Sequence, residues 1–328
     1  MEVVGVGIVA IDVIDEVAEY PRDPLGGASQ MQVVAAQLGC SCHWVGTTTD
    51  PEKDTEAAFA HAELAKFGVN CSTSTVLLSG SMPISYILAS KATGSRTIVH
   101  SRDLHELTVD DFKLATSKLF NQSEDNDDAQ NDGDTERAKR GLWFHFEGRN
   151  MEPVLEMMQF IRTHARNSRI SVEIEALRYD WKLAKRLVMT SDYVFASKDY
   201  IRDNLGYQNA ESFLQTEFKE NQIEVAGKTQ LKAVICPWGA DGVYYLRLDE
   251  PGQVQRIATK SLDRVVESIG AGDTFIGASV AALSHKLPLE ASLQLGCEIA
   301  TQKCLNIGFE FSSDRRDKWI RFMHSLKK

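Results

Sequence analysis

Val265-Val266-Glu267-Ser268-Ile269-Gly270-Ala271-Gly272-Asp273-Thr274-Phe275 places an apolar run, two glycines and a carboxylate directly ahead of a long helical stretch. Glycine lets a backbone approach an oxyanion closely, and the free amides of a helix's first turn point at that anion with the helix dipole behind them. The segment therefore predicts a strand, a phosphate loop at 270–272 and a helix over 273–285. A carboxylate among such donors repels phosphate. Asp273 thus either takes the proton from an attacking hydroxyl or simply caps its helix, and the local pattern leaves both readings open.

Outward from this loop, the chain alternates apolar β-branched runs with helical patterns. Val3 to Val9 predicts a central strand that stops at Ala10-Ile11-Asp12, with a carboxylate at its end. A helix over 28–38 stopped by Gly39, then a strand around His43 to Gly46, completes one βαβ unit. Further strands are predicted at 84–90, 96–100, 142–146, 169–174, 192–195, 232–236 and 242–247. Helices are predicted at 151–166, capped by Asn150, at 180–189 and at 289–305. Such alternation implies an α/β fold with a mostly parallel sheet covered on both faces. Asn121 to Arg140 breaks the pattern: it is polar and mostly acidic, and it predicts a disordered surface insertion.

The chain has 328 residues, 43% hydrophobic and 25% charged, with a formal net charge of -10. That balance is typical of an ordinary soluble globular protein and argues against wrapping a nucleic-acid backbone. Six cysteines are too sparse for a disulfide framework and lack zinc spacing, so they read as buried reduced thiols, with Cys297 and Cys304 on one buried helix face. No leader-like start or bilayer-length apolar run is present in the sequence, and a cytoplasmic location without membrane contact is expected.

The GAGDTF run, with Gly7-Ile8-Val9-Ala10-Ile11-Asp12, Ser95-Arg96-Thr97-Ile98-Val99, Glu147-Gly148-Arg149-Asn150, Ser197-Lys198-Asp199 and Cys236-Pro237-Trp238, resembles the ribokinase-like, PfkB-type sugar kinases, ketohexokinases most closely. The resemblance covers nearly all of the chain outside the acidic insertion. It implies a single ribokinase-like domain, an αβα sandwich with a small β-sheet lid drawn from about 13–25 and 82–100. It also implies phosphorylation of a keto sugar's primary hydroxyl by magnesium ATP, with K+ a further cation for such a site. Asp273 is then the catalytic base, with the amides of Gly270, Ala271 and Gly272 as anion hole. Asp12, Gly27 and Gln30 hold the sugar, and Arg96, Trp238, Gly239, Gly242, Cys304 and Gly308 hold ATP. Glu147, Glu173 and Glu175 either order metal-bound water or are structural. A homodimer through paired lids is a further expectation.

Two departures from the family pattern stand out. Only 13 residues separate Asp12 from Gly26, fewer than ketohexokinases carry, which predicts a shortened lid. The usual Gly-Gly-Asn reads Gly26-Gly27-Ala28-Ser29-Gln30, so the first sugar-binding Asn is missing and Gln30 stands near the second. These departures keep open a member that binds nucleotide or sugar without catalysis, and a kinase for another sugar or a nucleoside. A dinucleotide dehydrogenase is disfavoured, because the first strand lacks a Gly-x-Gly-x-x-Gly turn.

Overall fold

The structure, a computed structural model, describes residues 1–15, 22–26, 28–89, 96–121, 141–220, 230–250 and 252–326. In chain order the elements are β1 (Val3–Val6), β2 (Ala10–Asp15), β3 (Arg22–Gly26), α1 (Ala28–Gln37), β4 (Cys42–Val45), β5 (Thr47–Thr48), α2 (Thr55–Lys66), β6 (Val69–Asn70), β7 (Thr75–Val76), β8 (Ile84–Ala89), β9 (Arg96–Ser101) and α3 (Val109–Asn121). Then follow β10 (Trp143–Phe146), α4 (Met151–His164), β11 (Arg169–Ile174), α5 (Trp181–Thr190), β12 (Tyr193–Ala196), α6 (Ala210–Gln215), β13 (Ala233–Pro237), β14 (Val243–Arg247), β15 (Gln255–Ile257), α7 (Ala271–Ser284), α8 (Leu289–Cys304) and α9 (Ser313–Ser325). The acidic stretch beyond Asn121, at 122–140, lies outside the described residues.

A nine-stranded sheet runs in the order β15-β14-β13-β12-β11-β10-β1-β4-β6, and its seven strands from β13 to β6 pair in parallel. Being buried on both faces, its strands are continuous apolar runs: Val-Val-Gly-Val in β1 and Trp-Phe-His-Phe in β10 are wholly buried. One face packs on α1, α2, α7, α8 and α9, and the other on α3, α4, α5 and α6. Helix α7 is the centre of the first layer. Every residue from Thr274 to Ser284 is buried, so this helix is apolar all round rather than amphipathic. Each fully buried Val, Leu, Ile or Phe there contributes about 1.5–3 kcal/mol.

A second sheet, β3-β2-β8-β9, takes its strands from 10–26 and 84–101. The strand predicted over Val3 to Val9 ends at Val6, and Asp12 lies inside a strand of this second sheet rather than at the end of the first. The physical reason is a change of partners: the amide of Gly7 still reaches Val45, but the next amide, of Ile8, donates to the side chain of Glu147. Asn150 precedes α4 in a left-handed conformation (φ 48°) and makes no side-chain cap, unlike Asp180, which caps α5 by accepting from the Leu183 amide. Helices α2, α3, α6 and α9 were not predicted. Among the described residues no helix is long and apolar enough to cross a membrane.

Candidate active site

Strand β1 lies between β4, reached through α1, and β10, so the connections leave in opposite directions at the β1–β10 junction. In open α/β sheets, ligands bind outside the carboxyl ends of strands at such a switch point. A small pocket of about 30 Å³ lies there, bordered by Gly7, Ile8, Thr47, Glu106, Glu147 and Arg149, with Asp12, Gln30 and Gly270–Asp273 outside its lining. Glu147, 4% exposed, follows β10 and accepts from the Ile8 amide at 3.2 Å. Its carboxyl needs Gly7: a Cβ at that position would come within 2.6 Å of the carboxyl carbon.

Arg149 ties the neighbouring strand ends together. Its Nε is 3.3 Å from Glu147 Oε2 and its Nη2 is 3.6 Å from Glu175 Oε1, and the Glu147 charge holds its pKa up against burial. Negative charge still exceeds positive. Glu173 is pushed well above the usual carboxylate range by burial and by Glu175, Asp273 and Glu147. Beneath them His145 is buried, with Nδ1 2.9 Å from Ser171 Oγ, and burial lowers its pKa to about 3. It therefore stays a neutral strut.

Asp273 sits in the first turn of α7, half-buried, at the positive end of the helix. A helix N-terminus ordinarily lowers a carboxylate's pKa. Here desolvation, then the charges of Glu175 and Glu147, and finally that of Asp12, raise it to about 8, despite a lowering contribution from the backbone amide. The loop before it is less regular than predicted. Val265 and Val266 form no strand and are 51% and 39% exposed. Their backbone is recruited instead by a helix end, the amides of Val266 and Glu267 donating to the Cys304 carbonyl at 2.8 and 3.3 Å.

Helix α7 begins two residues earlier than predicted, at Ala271, with Gly270 preceding it at φ 72°. A side chain at Gly270 would meet both this left-handed backbone and the ring of Phe309, 2.0 Å from the ideal Cβ. The Ala271 amide donates to the Ser268 carbonyl at 3.2 Å. Among the described residues, the amides of Gly270 and Gly272 have no backbone acceptor.

Glu267 stands just ahead of this loop. In the fold it joins two loops, accepting from the Gly308 amide at 3.0 Å and from the wholly buried ammonium of Lys303. That ammonium also lies 5.0 Å from the centre of the Phe309 ring, which packs on Gly270. Sequence reading missed Lys303 and Phe309, although they neighbour the selected Cys304 and Gly308. The missing signal was tertiary. Cys304 itself is half-buried rather than buried like Cys297.

Trp238 is 6% exposed under Lys198, whose Nζ is 5.6 Å from a ring centre. The Trp238 amide closes a tight turn on the Gly242 carbonyl at 2.7 Å, through Gly239 to Asp241. Gly242 (φ 95°) lies against β15: a Cβ there would come within 2.0 Å of the Ile257 carbonyl oxygen. On the second sheet, Asp12 is 8% exposed and its charge reaches Asp273. Gln30 is 3% exposed, and its Oε1 would lie 2.8 Å from a Cβ on Gly270. Gly27 and the side chain of Arg96 lie outside the described residues, though the Arg96 backbone pairs with Ala89. The structure thus brings Asp12, Gln30 and Gly270–Asp273 into one neighbourhood, and links Cys304 and Gly308 to that loop through Glu267.

Residues 146–316, just over half of the chain, match the model of the pfkB family carbohydrate kinases. The mouse (Mus musculus) ketohexokinase is 28% identical over 94% of this chain and 98% of its own length. Among solved structures, adenosine kinase from Sinorhizobium meliloti superposes with a TM-score of 0.73 at 16% identity, over 98% of this chain and 99% of that one. Aminoimidazole riboside kinase from Salmonella enterica, complexed with aminoimidazole riboside and an ATP analogue, gives 0.69 at 17%, over 98% and 100%. These likenesses establish the ribokinase-type fold, and the family match supplies the class: the chain belongs to the pfkB family of carbohydrate kinases.

Proposed function

We propose that this kinase transfers the γ-phosphoryl group of magnesium ATP to a primary hydroxyl of a neutral sugar, a ketohexose such as fructose, with Asp273 as general base. The observation that carries the reading is the poise of Asp273. A base works best with a pKa near the operating pH, and this carboxyl is held at about 8 although it stands at a helix N-terminus.

The chemistry then follows from the neighbours. Asp12 and Gln30 hold the sugar, and the hydroxyl to be phosphorylated gives its proton to Asp273 as its oxygen attacks the γ-phosphorus and the bond to ADP breaks. The free amides of Gly270 and Gly272 hold the equatorial oxygens of the phosphoryl group, where charge stabilisation matters most. The Ala271 amide, engaged with Ser268, takes a smaller part than the sequence suggested. Trp238, Gly239, Gly242, Cys304 and Gly308 border the nucleotide, and the family resemblance assigns Arg96 to its phosphates.

Among the described residues no three His, Cys, Asp or Glu side chains converge as a metal cage. Magnesium needs only one or two carboxylates beside the phosphates, and Glu173 and Glu175, in a cluster richer in negative than positive charge, are hard oxygen donors of that kind. The ion supplies charge neutralisation of the triphosphate. The shortened run from Asp12 to Gly26 and the absence of the first sugar Asn favour a second reading, a member that binds ligand without transfer.

One assay separates the two: ADP release and sugar phosphate formed from magnesium ATP with ketoses, aldoses and nucleosides, beside Asp273→Asn. Product on fructose that disappears in the variant supports the kinase. ATP binding with no product from any acceptor at long times sinks it.

A further inference from the structure

Three polar residues cross the second sheet in one row. Asp12 of β2 stands opposite Ser85 of β8, and Ser85 opposite His100 of β9. Residues opposite each other share a face, and strands lie ~4.8 Å apart, so the row's ends are separated by ~10 Å of backbone. The row runs from a covered end to an open one: Asp12 and Ser85 are 8% and 7% exposed, whereas His100 at the edge is exposed, as are Tyr86 and Val99 on the opposite face, at 50% and 58%. Ser85 Oγ lies 3.0 Å from His100 Nδ1, which sets the ring, and among the described residues nothing meets Nε2.

The row overhangs the carboxylate cluster. Asp12 acts on Asp273, and the charges of Arg149 and Arg102, after desolvation, act on His100 to lower its pKa. Arg149 in turn is held by Glu147 and Glu175, and Arg102 by Glu106. His100 therefore faces the same space as the groups around Asp273, two strands beyond Asp12, as a neutral ring with one nitrogen available.

We propose that His100 is the far anchor of the acceptor. Its Nε2 hydrogen-bonds a sugar hydroxyl remote from the one that Asp273 deprotonates, and the acceptor it helps to select is a small neutral polyol rather than a sugar acid or sugar phosphate. The charge balance among the described residues sets the class: Asp12, Glu147, Glu173, Glu175 and Asp273 crowd the space, and the two arginines that act on His100, Arg149 and Arg102, are already paired, so an anionic acceptor enters an unfavourable field. This assignment rests on the placement of the sugar between Asp12 and Asp273 argued above.

The test is binding rather than turnover, so that it survives failure of the phosphotransfer reading. Fructose, glucose, ribose and glucuronate are titrated calorimetrically into the Asp273→Asn protein, alone and combined with His100→Ala or His100→Gln, with the unfolding midpoint of each protein recorded. One neutral hydrogen bond predicts about tenfold weaker binding of the preferred neutral sugar in His100→Ala, partial recovery in His100→Gln, and no comparable change for ATP. The same sugar should shift the Nε2 resonance of His100 in the wild-type protein. Unchanged sugar binding in both His100 variants, tighter binding of glucuronate than of any neutral sugar, or no neutral sugar bound at all would overturn the assignment. His100-dependent sugar binding by a protein that makes no sugar phosphate would sink the kinase reading and leave this one standing.

Discussion

In the function proposed above, the phosphate side and the acceptor side of the site are built by different means. The phosphate loop is backbone, with two free amides and a left-handed glycine, and it is held by a buried ion pair, an aromatic ring and a helix apolar on every face. The acceptor side is side chains: Asp12, Ser85 and His100 on the second sheet, and carboxylates at strand ends whose charges oppose one another. Phosphate is common to every ATP-dependent reaction, and backbone donors recognise it without side-chain identity. An acceptor is recognised by side chains, so that half of a site can change its residues without disturbing the other.

Replacing Asp273 tests the junction of the two halves and carries the largest expected effect. Asp273→Asn should lower turnover by about 10²–10⁴-fold, while ATP affinity stays within a few fold. Steady-state rates and calorimetric titration with ATP check this. Equal losses of turnover and ATP affinity would place Asp273 in the phosphate side alone.

Next comes the clamp behind the phosphate loop. Lys303 is wholly buried against Glu267, and removing one member of such a pair leaves a desolvated charge, at a cost of about 3–5 kcal/mol. Lys303→Met should lower stability by that order in chemical denaturation and should raise KM for ATP more than KM for sugar. The double variant Lys303→Met/Glu267→Gln should recover part of the stability, because no lone charge remains. A stable Lys303→Met protein with normal ATP kinetics would break the contrast drawn above.

A smaller effect is electrostatic. Only deprotonated Asp273 is a base, so kcat/KM should climb with pH through about 8. Glu175 is the strongest charged neighbour acting to raise it, and Glu175→Gln should shift that limb to lower pH. Stability has the opposite sign. The folded pKa exceeds the ordinary carboxylate value, so the folded state binds the extra proton, and stability is lost as pH rises from the ordinary value through about 8. Asp273→Asn should therefore gain in melting temperature relative to wild type at pH 9 and lose that advantage by pH 4.

The same contrast explains what the sequence allowed to be read. The glycine turn ahead of α7, the parallel sheet and most strand positions were legible because glycine placement and β-branched runs are local signals; 169–174 was recovered residue for residue. Val265-Val266 misled, because exposed valines bonded to a helix end have the same pattern as a strand. Asp12 was given to the wrong sheet, since the Ile8 bond to Glu147, which ends β1 at Val6, is a tertiary contact. Lys303 and His100 left no signal, because a buried lysine and a row set by strand register exist only in three dimensions.

The smallest effect probes the margin of the nucleotide side. Lys198 rests over Trp238, and an exposed cation–π contact contributes about 0.5–1 kcal/mol. Trp238 is also fixed by its turn to Gly242 and by an edge contact with Tyr244, 6.5 Å between ring centres, so its position does not depend on the lysine. Lys198→Ala should therefore cost that small amount in denaturation and change ATP affinity less than threefold, with sugar affinity unaltered. A larger loss for ATP would mean that Lys198 meets the nucleotide itself. The phosphate side would then rely on a side-chain cation as well as on its backbone, and the division between the two halves would be narrower than the loop geometry implies.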